Sequence, residues 1–425
     1  MELVVELAAL LALVAAVWTN IRRNGAPEKL DWPLAIMLLI MPLVALIQLV
    51  PLPPAIWQSL PNRGIESAAL ALVGAAHNWM PISVSPARTL SALLSFIPPL
   101  VVAILVARLP IRGRTYLLLV LGVLGVISAA VGTVQLASGS ADLLRFYHYT
   151  HERYATGFQA SRNAQGDILV LCAMAVITAA VILRRAGNRA LTTPIVGAGL
   201  AVMLISLLLT GSRAGIALSG VAVVLAVLLI APRMRLLGAR ALGILLVGAL
   251  ALGTVGFVTA HDNSRLQRTF GRFSMDDGSR VKIWEDSVYA IHQTWPVGTG
   301  IGSFQTTFPA AERLEYVRDT FANRAHNDYL ELIMETGIAG VLFLIAAIVF
   351  LAVRVFELLR RQRDPEIVAQ VMFVCAAAAV ILLHSVVDYP LRSMSTACIA
   401  GLCAGLLARA RSRVRRADAD RIGGD

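Results

Sequence analysis

Residues 115–137 read TYLLLVLGVLGVISAAVGTVQLA, without one charged side chain. As an α-helix rising ~1.5 Å per residue, such a block is long enough to cross a hydrocarbon layer of ~30 Å. Comparable blocks lie at 3–19, 33–50, 89–107, 166–183, 194–210, 213–231, 239–260, 337–353, 367–387 and 394–408, which makes eleven predicted spans. Hydrophobic residues make up 57% of the 425 and charged residues 15%, with a mean hydropathy of +0.73. A soluble domain has no interior for that much apolar surface. Backbone in lipid must satisfy its own hydrogen bonds, and no ten-residue alternation announces a barrel, so the spans are predicted to be helices. The expected fold class is an all-α polytopic membrane protein.

Orientation follows from the basic residues. Arg22, Arg23 and Lys29, Arg108, Arg112 and Arg114, Arg184, Arg185 and Arg189, Arg233, Arg235 and Arg240, and Arg354, Arg360, Arg361 and Arg363 occupy alternate loops. With the arginine-rich tail they share one side, which the positive-inside rule makes cytoplasmic. The amino end is then outside, and Glu2 and Glu6 without a basic start argue for an uncleaved span rather than a signal peptide. These loops and the tail supply most of the net charge of +11. Solvation and contact with anionic lipid headgroups account for it, and no nucleic-acid partner is expected. Cys172, Cys375, Cys398 and Cys403 all fall inside predicted spans without metal-ligand spacing and read as packing residues.

The expected organisation is an N-terminal region of eight spans (1–260) with an outer interfacial segment at 51–88, a large outer loop (261–336), further spans (337–408) and a basic cytoplasmic tail (409–425). Segment 51–88 sets Pro51, Pro53, Pro54, Trp57, Trp79 and Pro81 around an apolar run at 65–76. That run is short for a span and reads as a helix lying in the interface, with a twelfth span or re-entrant element at 64–77 as the alternative. In the large loop, Asp276, Asp277, Gly278 and Ser279 offer cap chemistry before Val281, Ile283, Trp284, Val288 and Ile291, whose spacing predicts an amphipathic helix over 280–292. Pro296, Gly298, Gly300 and Gly302 then break the chain, in a pattern that is not a dinucleotide fingerprint. A second helix is predicted to begin near 323–326. If it is continuous, His326, Gly337 and Gly340 share one face, and the glycines admit a neighbouring helix.

The chemistry gathers at the outer side. His326 stands where the longest polar stretch re-enters membrane, and an imidazole exchanges protons near neutral pH; the plainer reading is that it caps the helix or satisfies a buried carbonyl. Arg213, after Thr210, Gly211 and Ser212, opens a span where the helix dipole and free N–H groups favour an anion, and its charge needs a partner from the fold or the substrate. Arg280 opens the amphipathic helix, with Asp276 and Asp277 as alternative partners. Two arginines at helix starts make a cradle for a phosphate or diphosphate, and a histidine beside them makes a base. Transfer of a group from a lipid diphosphate uses both.

Arg162, Asp388 and Asn327 are secondary candidates. Asp388 either orients His326 or pairs with Arg392, and Arg162 faces phosphate or sugar. His384, one turn deeper, serves a polar contact between helices. Tyr147, His148, Tyr149, His151 and Tyr154 either stack on sugars or form an interfacial belt. Apart from adjacent Asp276 and Asp277, no His, Asp and Glu cluster has ligand spacing, so neither a metal nor another cofactor is expected.

His326-Asn327, nine residues, then Gly337-Ile338-Ala339-Gly340 resembles the signature of the O-antigen ligase family, which includes O-antigen and exopolysaccharide polymerases. Gly211-Ser212-Arg213-Ala214-Gly215, Gly278-Ser279-Arg280 with Trp284, Gly298-Thr299-Gly300-Ile301-Gly302 with Phe304, and His384-Ser385 with Asp388-Tyr389-Pro390 resemble it in order and spacing. The likeness covers roughly 195–390; Ser161-Arg162-Asn163 is similar to a segment of the polymerase branch. It implies a GT-C-type helical bundle of about 11–12 transmembrane helices with a large periplasmic loop, in the bacterial inner membrane. The implied activity is metal-independent, inverting transfer of a glycan from undecaprenyl diphosphate to a hydroxyl of lipid A core, or of a growing polysaccharide in a polymerase. By the same resemblance Arg213 and Arg280 hold the diphosphate and His326 acts as base or orients the acceptor. A lipid or polysaccharide transporter is the alternative class; it predicts charges at mid-span and repeated halves, which the sequence lacks.

Overall fold

A computed structural model describes residues 2–22, 31–140, 142–147, 150–187, 192–230, 277–317, 321–361 and 364–408. The predicted span at 239–260, the cap residue Asp276, the tail 409–425, and His148 and Tyr149 of the aromatic cluster lie outside the described residues.

Every other predicted span is a helix. In chain order the helices are α1 (Glu2–Arg22), α2 (Trp32–Leu49), α3 (Pro54–Trp57), α4 (Gly64–Leu72), α5 (Pro86–Ser95), α6 (Ile97–Arg108), α7 (Ile111–Ala137), α8 (Arg162–Arg185), α9 (Thr192–Thr210), α10 (Arg213–Ile230), α11 (Asp277–Thr294), α12 (Phe304–Thr307), α13 (Asp328–Thr336), α14 (Ile338–Arg361), α15 (Pro365–His384) and α16 (Met394–Leu406). Among the described residues seven stretches are long and apolar enough to cross a membrane: α2, α5 with α6, α7, α8, α10, α14 and α15. Shorter apolar helices run over Val4–Ala16, Pro194–Thr210 and Met394–Leu406. Leu39, Ile345, Val349 and Phe356 stand out from the bundle more than half exposed, an apolar jacket that suits lipid rather than water. The chain is an all-α polytopic membrane protein.

Helix α8 is the axis of the bundle. It packs on α7, α9, α10, α15 and α16, and Leu169, Leu171, Met174 and Ala175 are buried almost completely. A central helix carries whatever stands at its first two turns into the middle of that end of the bundle, and here those residues are Arg162, Asn163 and Asp167. At the opposite end Arg114 ties the helix ends together, donating to the carbonyls of Leu109 (3.1 Å), Ala107 (2.9 Å), Leu406 (3.1 Å) and Ala408 (3.2 Å). Arg354 pairs there with Asp31.

The short helix α4 has nine residues, about 13.5 Å at 1.5 Å per residue, which excludes a twelfth span. Ile65 and Leu72 on it, with Val73 and Trp79 after it, are exposed, in keeping with an interfacial position. A two-stranded pairing of Pro51–Leu52 with Met80–Pro81 closes the base of this segment.

The second loop helix differs from expectation. His326, Gly337 and Gly340 do not share a continuous helix: α13 begins at Asp328 and ends at Thr336, with Asn327 and Gly337 as its two caps. The Asn327 side chain accepts from the amides of Tyr329 (3.0 Å) and Leu330 (3.1 Å), so the helix cannot start earlier. Gly337 takes φ 57°, and a Cβ there would stand 2.0 Å from the Pro296 carbonyl oxygen. Its close neighbour is therefore the 296–298 loop and not another helix. The Ile338 amide donates to that same carbonyl at 2.9 Å, which fixes the corner between α13 and α14.

Candidate active site

His326 has φ 50°, unusual for a side-chain-bearing residue. Its neighbours hold it there. The Trp284 indole donates to the Ala325 carbonyl at 3.0 Å, Glu331 accepts from the Ala325 amide at 3.0 Å, and the Asp328 amide donates to the Ser385 carbonyl at 2.9 Å. A left-handed conformation of this kind costs about 1–3 kcal/mol and persists only where surroundings over-determine it. The loop geometry aims the imidazole at the turn between α15 and α16.

In that turn Asp388 receives it. His326 Nδ1 lies 3.2 Å from Asp388 Oδ1, and the Asp388 carboxylate also accepts from the Asn163 amide at 2.5 Å and the Tyr389 backbone at 3.0 Å. An ionised carboxylate only accepts, so in the neutral imidazole Nδ1 carries the proton and Nε2 keeps its lone pair for an outside partner. Burial alone would raise the Asp388 carboxyl, but the His326 hydrogen bond and the charges of His326, His384 and Arg280 outweigh it and hold it below the usual carboxylate range. The Tyr389 ring lies against the imidazole, centroids 5.0 Å apart. Of the two readings open for Asp388, the structure selects contact with His326.

His384 is more than an interhelical polar contact. Its Nδ1 is 2.6 Å from Asp167 Oδ1 and its Nε2 is 3.8 Å from Asp388 Oδ2. Asp167, His384, Asp388 and His326 thus form one file of alternating carboxylates and imidazoles. Sequence reading passed over Asp167, because a single acid in the second turn of an apolar helix has no local partner to mark it.

Arg280 joins this group from α11, donating to the Val387 carbonyl at 2.8 Å. Arg162 begins α8, with its guanidinium stacked 4.5 Å from the Tyr154 ring centroid and its amide donating to His151 Nδ1 at 3.1 Å. Burial first, and then the Arg162 charge, push the His151 imidazole below its ordinary value against the pull of Asp388. Arg213 begins α10 and reaches the same end of the bundle through a tight helix crossing: Ser212 and Gly215 meet Gly166 of α8 so closely that a Cβ on Gly166 would touch both within 3.1–3.4 Å. Asn327 is a helix cap, with its carbonyl oxygen committed to α13.

Arg392 has a different role from the one that sequence offered. It pairs with Glu335 at 2.7 Å, Glu331 at 3.4 Å and Asp328 at 3.9 Å, all on α13, rather than with Asp388. Arg324 supplies a second cation to Glu331 at 2.8 Å. Burial works against the Arg392 charge, yet Glu335, Glu331 and Asp328 raise it above the usual arginine range. Burial pushes the Asp328 carboxyl up to about 6, with Arg392 pulling the other way. This cluster clamps α13, and with it His326, to the α15–α16 turn.

The glycine segment 298–302 seats the other side of α13. Gly300 donates to the Glu335 carbonyl at 2.8 Å, and Gln48, at the end of α2, bridges that carbonyl and the Ile301 amide, 2.9 Å each. A Cβ on Gly300 would lie 2.4 Å from Ser83 Oγ. The segment is thus a backbone wedge between α13 and the 80–88 stretch.

A cavity of about 260 Å³ opens beside Asp388 and Asn163, lined further by Asp167, Tyr389, Gln159, Ser161, Ser393, Arg392 and Tyr147, with Val5, Ala164 and Met394 as apolar wall. Among the described residues no group of three or more His, Cys, Asp or Glu could hold a metal ion.

A family profile described as O-antigen ligase matches residues 198–345. The matched stretch runs from α9 into α14 and carries Arg213, Arg280, His326 and Asn327, while Arg162, Asp167, His384 and Asp388 lie outside it. Among curated proteins the chain has no match.

Proposed function

Because residues 198–345 make this chain a member of the O-antigen ligase family, with the ligase- or polymerase-type glycosyltransferase activity that family carries, we propose the following reaction. A glycan moves from undecaprenyl diphosphate to a hydroxyl of lipid A core at the periplasmic face of the inner membrane. The observation that carries the reading is the 3.2 Å contact of His326 Nδ1 with Asp388, which leaves Nε2 as a proton acceptor.

In the proposed step the acceptor hydroxyl gives its proton to His326 Nε2 as its oxygen forms a bond to the anomeric carbon. The bond from that carbon to the diphosphate breaks on the opposite face, so configuration inverts. Undecaprenyl diphosphate leaves with the electron pair, and Arg213 and Arg280 stabilise its growing negative charge. Asp388 steadies the imidazolium that forms. Arg162, stacked on Tyr154 beside the α10 start, offers a third cation to the donor. No step requires a metal or another cofactor.

The sequence near α8 favours a second acceptor. Asn163 donates to Asp388 at 2.5 Å, so the Arg162-Asn163 element, similar to the polymerase branch, contacts the same carboxylate as the base. A polymerase would join repeat units by identical chemistry. Purified protein given undecaprenyl diphosphate-linked glycan and either lipid A core or repeat units, with chelator present, tests the reading. Glycosylated lipid A core supports the ligase and lengthened glycan the polymerase. No product from either acceptor overturns both, and activity only after chelator is removed overturns metal independence.

A further inference from the structure

The cavity beside Asp388 is not part of the cation set that would hold a diphosphate. Its charged lining is Asp167, Asp388 and Arg392, and Arg392 is already engaged by three carboxylates on α13. The lining therefore sets two carboxylates, and an arginine that is already paired, against a phosphate. What the lining offers is hydrogen-bond acceptors and amphipathic surface. Asp167 and Asp388 present carboxylates, Gln159 is held by Ser395 at 2.7 Å and Ser393 at 3.4 Å, and Tyr389 and Tyr147 bring aromatic rings. Carboxylates and amides that receive hydroxyl hydrogens, next to rings and aliphatic walls that receive C–H faces, suit a neutral sugar ring. The volume, about 260 Å³, lies just below the ~300–1,000 Å³ range of ligand pockets and matches a terminal sugar rather than a long glycan.

We propose that this cavity is a saccharide subsite, which seats a terminal neutral sugar beside Asp388 and so sets which glycan reaches His326. It rests on the transferase reading above, and the sugar belongs either to the acceptor or to the first residue of the donor glycan. The sequence had marked Tyr147 as a sugar-stacking candidate with an interfacial belt as the alternative; its place in the cavity wall favours the former.

The test fills the cavity without touching the His326 group. Ala164→Phe inserts a ring from the first turn of α8 and removes no side-chain hydrogen bond; Gln159→Leu, as a second variant, removes the amide and with it the acceptor of the Ser393 and Ser395 hydroxyls. Full-length protein in nanodiscs is titrated calorimetrically with three probes: lipid-free core oligosaccharide, a lipid-free repeat unit and sugar-free undecaprenyl diphosphate. The expected result is a loss of affinity of about tenfold or more in both variants for one oligosaccharide, with undecaprenyl diphosphate binding unchanged. Loss for the core oligosaccharide identifies an acceptor sugar, and loss for the repeat unit alone identifies the glycan that is donated or extended. Unchanged or undetectable oligosaccharide binding in wild type and variants, or a selective loss of undecaprenyl diphosphate binding, overturns the proposal. Because binding is read without turnover, wild-type protein that binds sugar yet transfers none contradicts the transferase reading and leaves the subsite standing.

Discussion

Asp388 Oδ1 and His326 Nδ1, sixty-two positions apart in sequence, meet at 3.2 Å. The contact fixes the tautomer of an imidazole whose backbone is already held in a left-handed conformation. Substituting Asp388→Asn keeps the shape and removes the charge that steadies a protonated His326. An orienting carboxylate of this kind is worth about 10²–10⁴ in turnover. We expect kcat for glycan transfer to fall within that range with KM for the lipid diphosphate little changed. Steady-state kinetics check this, and a fall in donor affinity with kcat intact would assign Asp388 to binding.

The two arginines should separate by their other contacts. Lysine keeps the charge and loses the fork that matches phosphate oxygens. Arg213→Lys is expected to raise KM for the donor about tenfold, roughly 1.4 kcal/mol, with less effect on kcat. Arg280→Lys should raise KM and lower kcat together, because Arg280 also donates to the Val387 carbonyl next to Asp388. Equal and purely kcat-directed losses would contradict this division.

Gly337 is the hinge pin of the α13–α14 corner. An alanine there meets the Pro296 carbonyl oxygen at 2.0 Å and must adopt φ 57°. Backbone strain and a carbonyl clash together place Gly337→Ala among strongly destabilising substitutions, about 2–4 kcal/mol. Thermal unfolding in detergent should show a lower midpoint, while Gly197→Ala, inside α9 with open space around it, should leave the midpoint unchanged or raise it.

Asp328 gives the clamp a pH dependence of defined sign. Its folded carboxyl sits at about 6, above an unfolded value of about 3.9, so the fold favours the protonated form. Its stabilising contribution is full below about pH 4, declines as pH rises toward 6, and is absent above that. Stability of the wild type relative to Asp328→Asn should therefore fall between pH 4 and 6 and stay level at higher pH. A constant difference across that window would mean that Arg392 holds Asp328 ionised throughout.

Much of the architecture was legible because apolar blocks need no partner to be recognised: 115–137 and 367–387 declare themselves by composition alone. The amphipathic helix at 280–292 emerged two to three residues longer at each end, as helix ends fray in any pattern-based reading. The continuous helix through His326 failed because its periodicity is local, whereas the side-chain cap of Asn327 and the Pro296 carbonyl that needs Gly337 are tertiary facts. His326 and Arg280 were found by type and position, and both meet the Asp388 turn. Their partners were only half legible: Asp388 stood as partner either of His326 or of Arg392, one turn away in sequence, and only folding gives Arg392 to Glu335 instead. Asp167 was silent for the same reason, since the 2.6 Å contact that explains it comes from His384, 217 positions away.

The proposed reaction turns on the His326 imidazole removing the acceptor proton. Transfer by His326→Ala, measured in nanodiscs at saturating donor and acceptor alongside binding of undecaprenyl diphosphate, tests it most directly. A turnover loss of about 10²–10⁴ is expected, with diphosphate binding intact and the protein still inserted. Turnover within a fewfold of wild type would contradict it, and the base would have to be sought elsewhere.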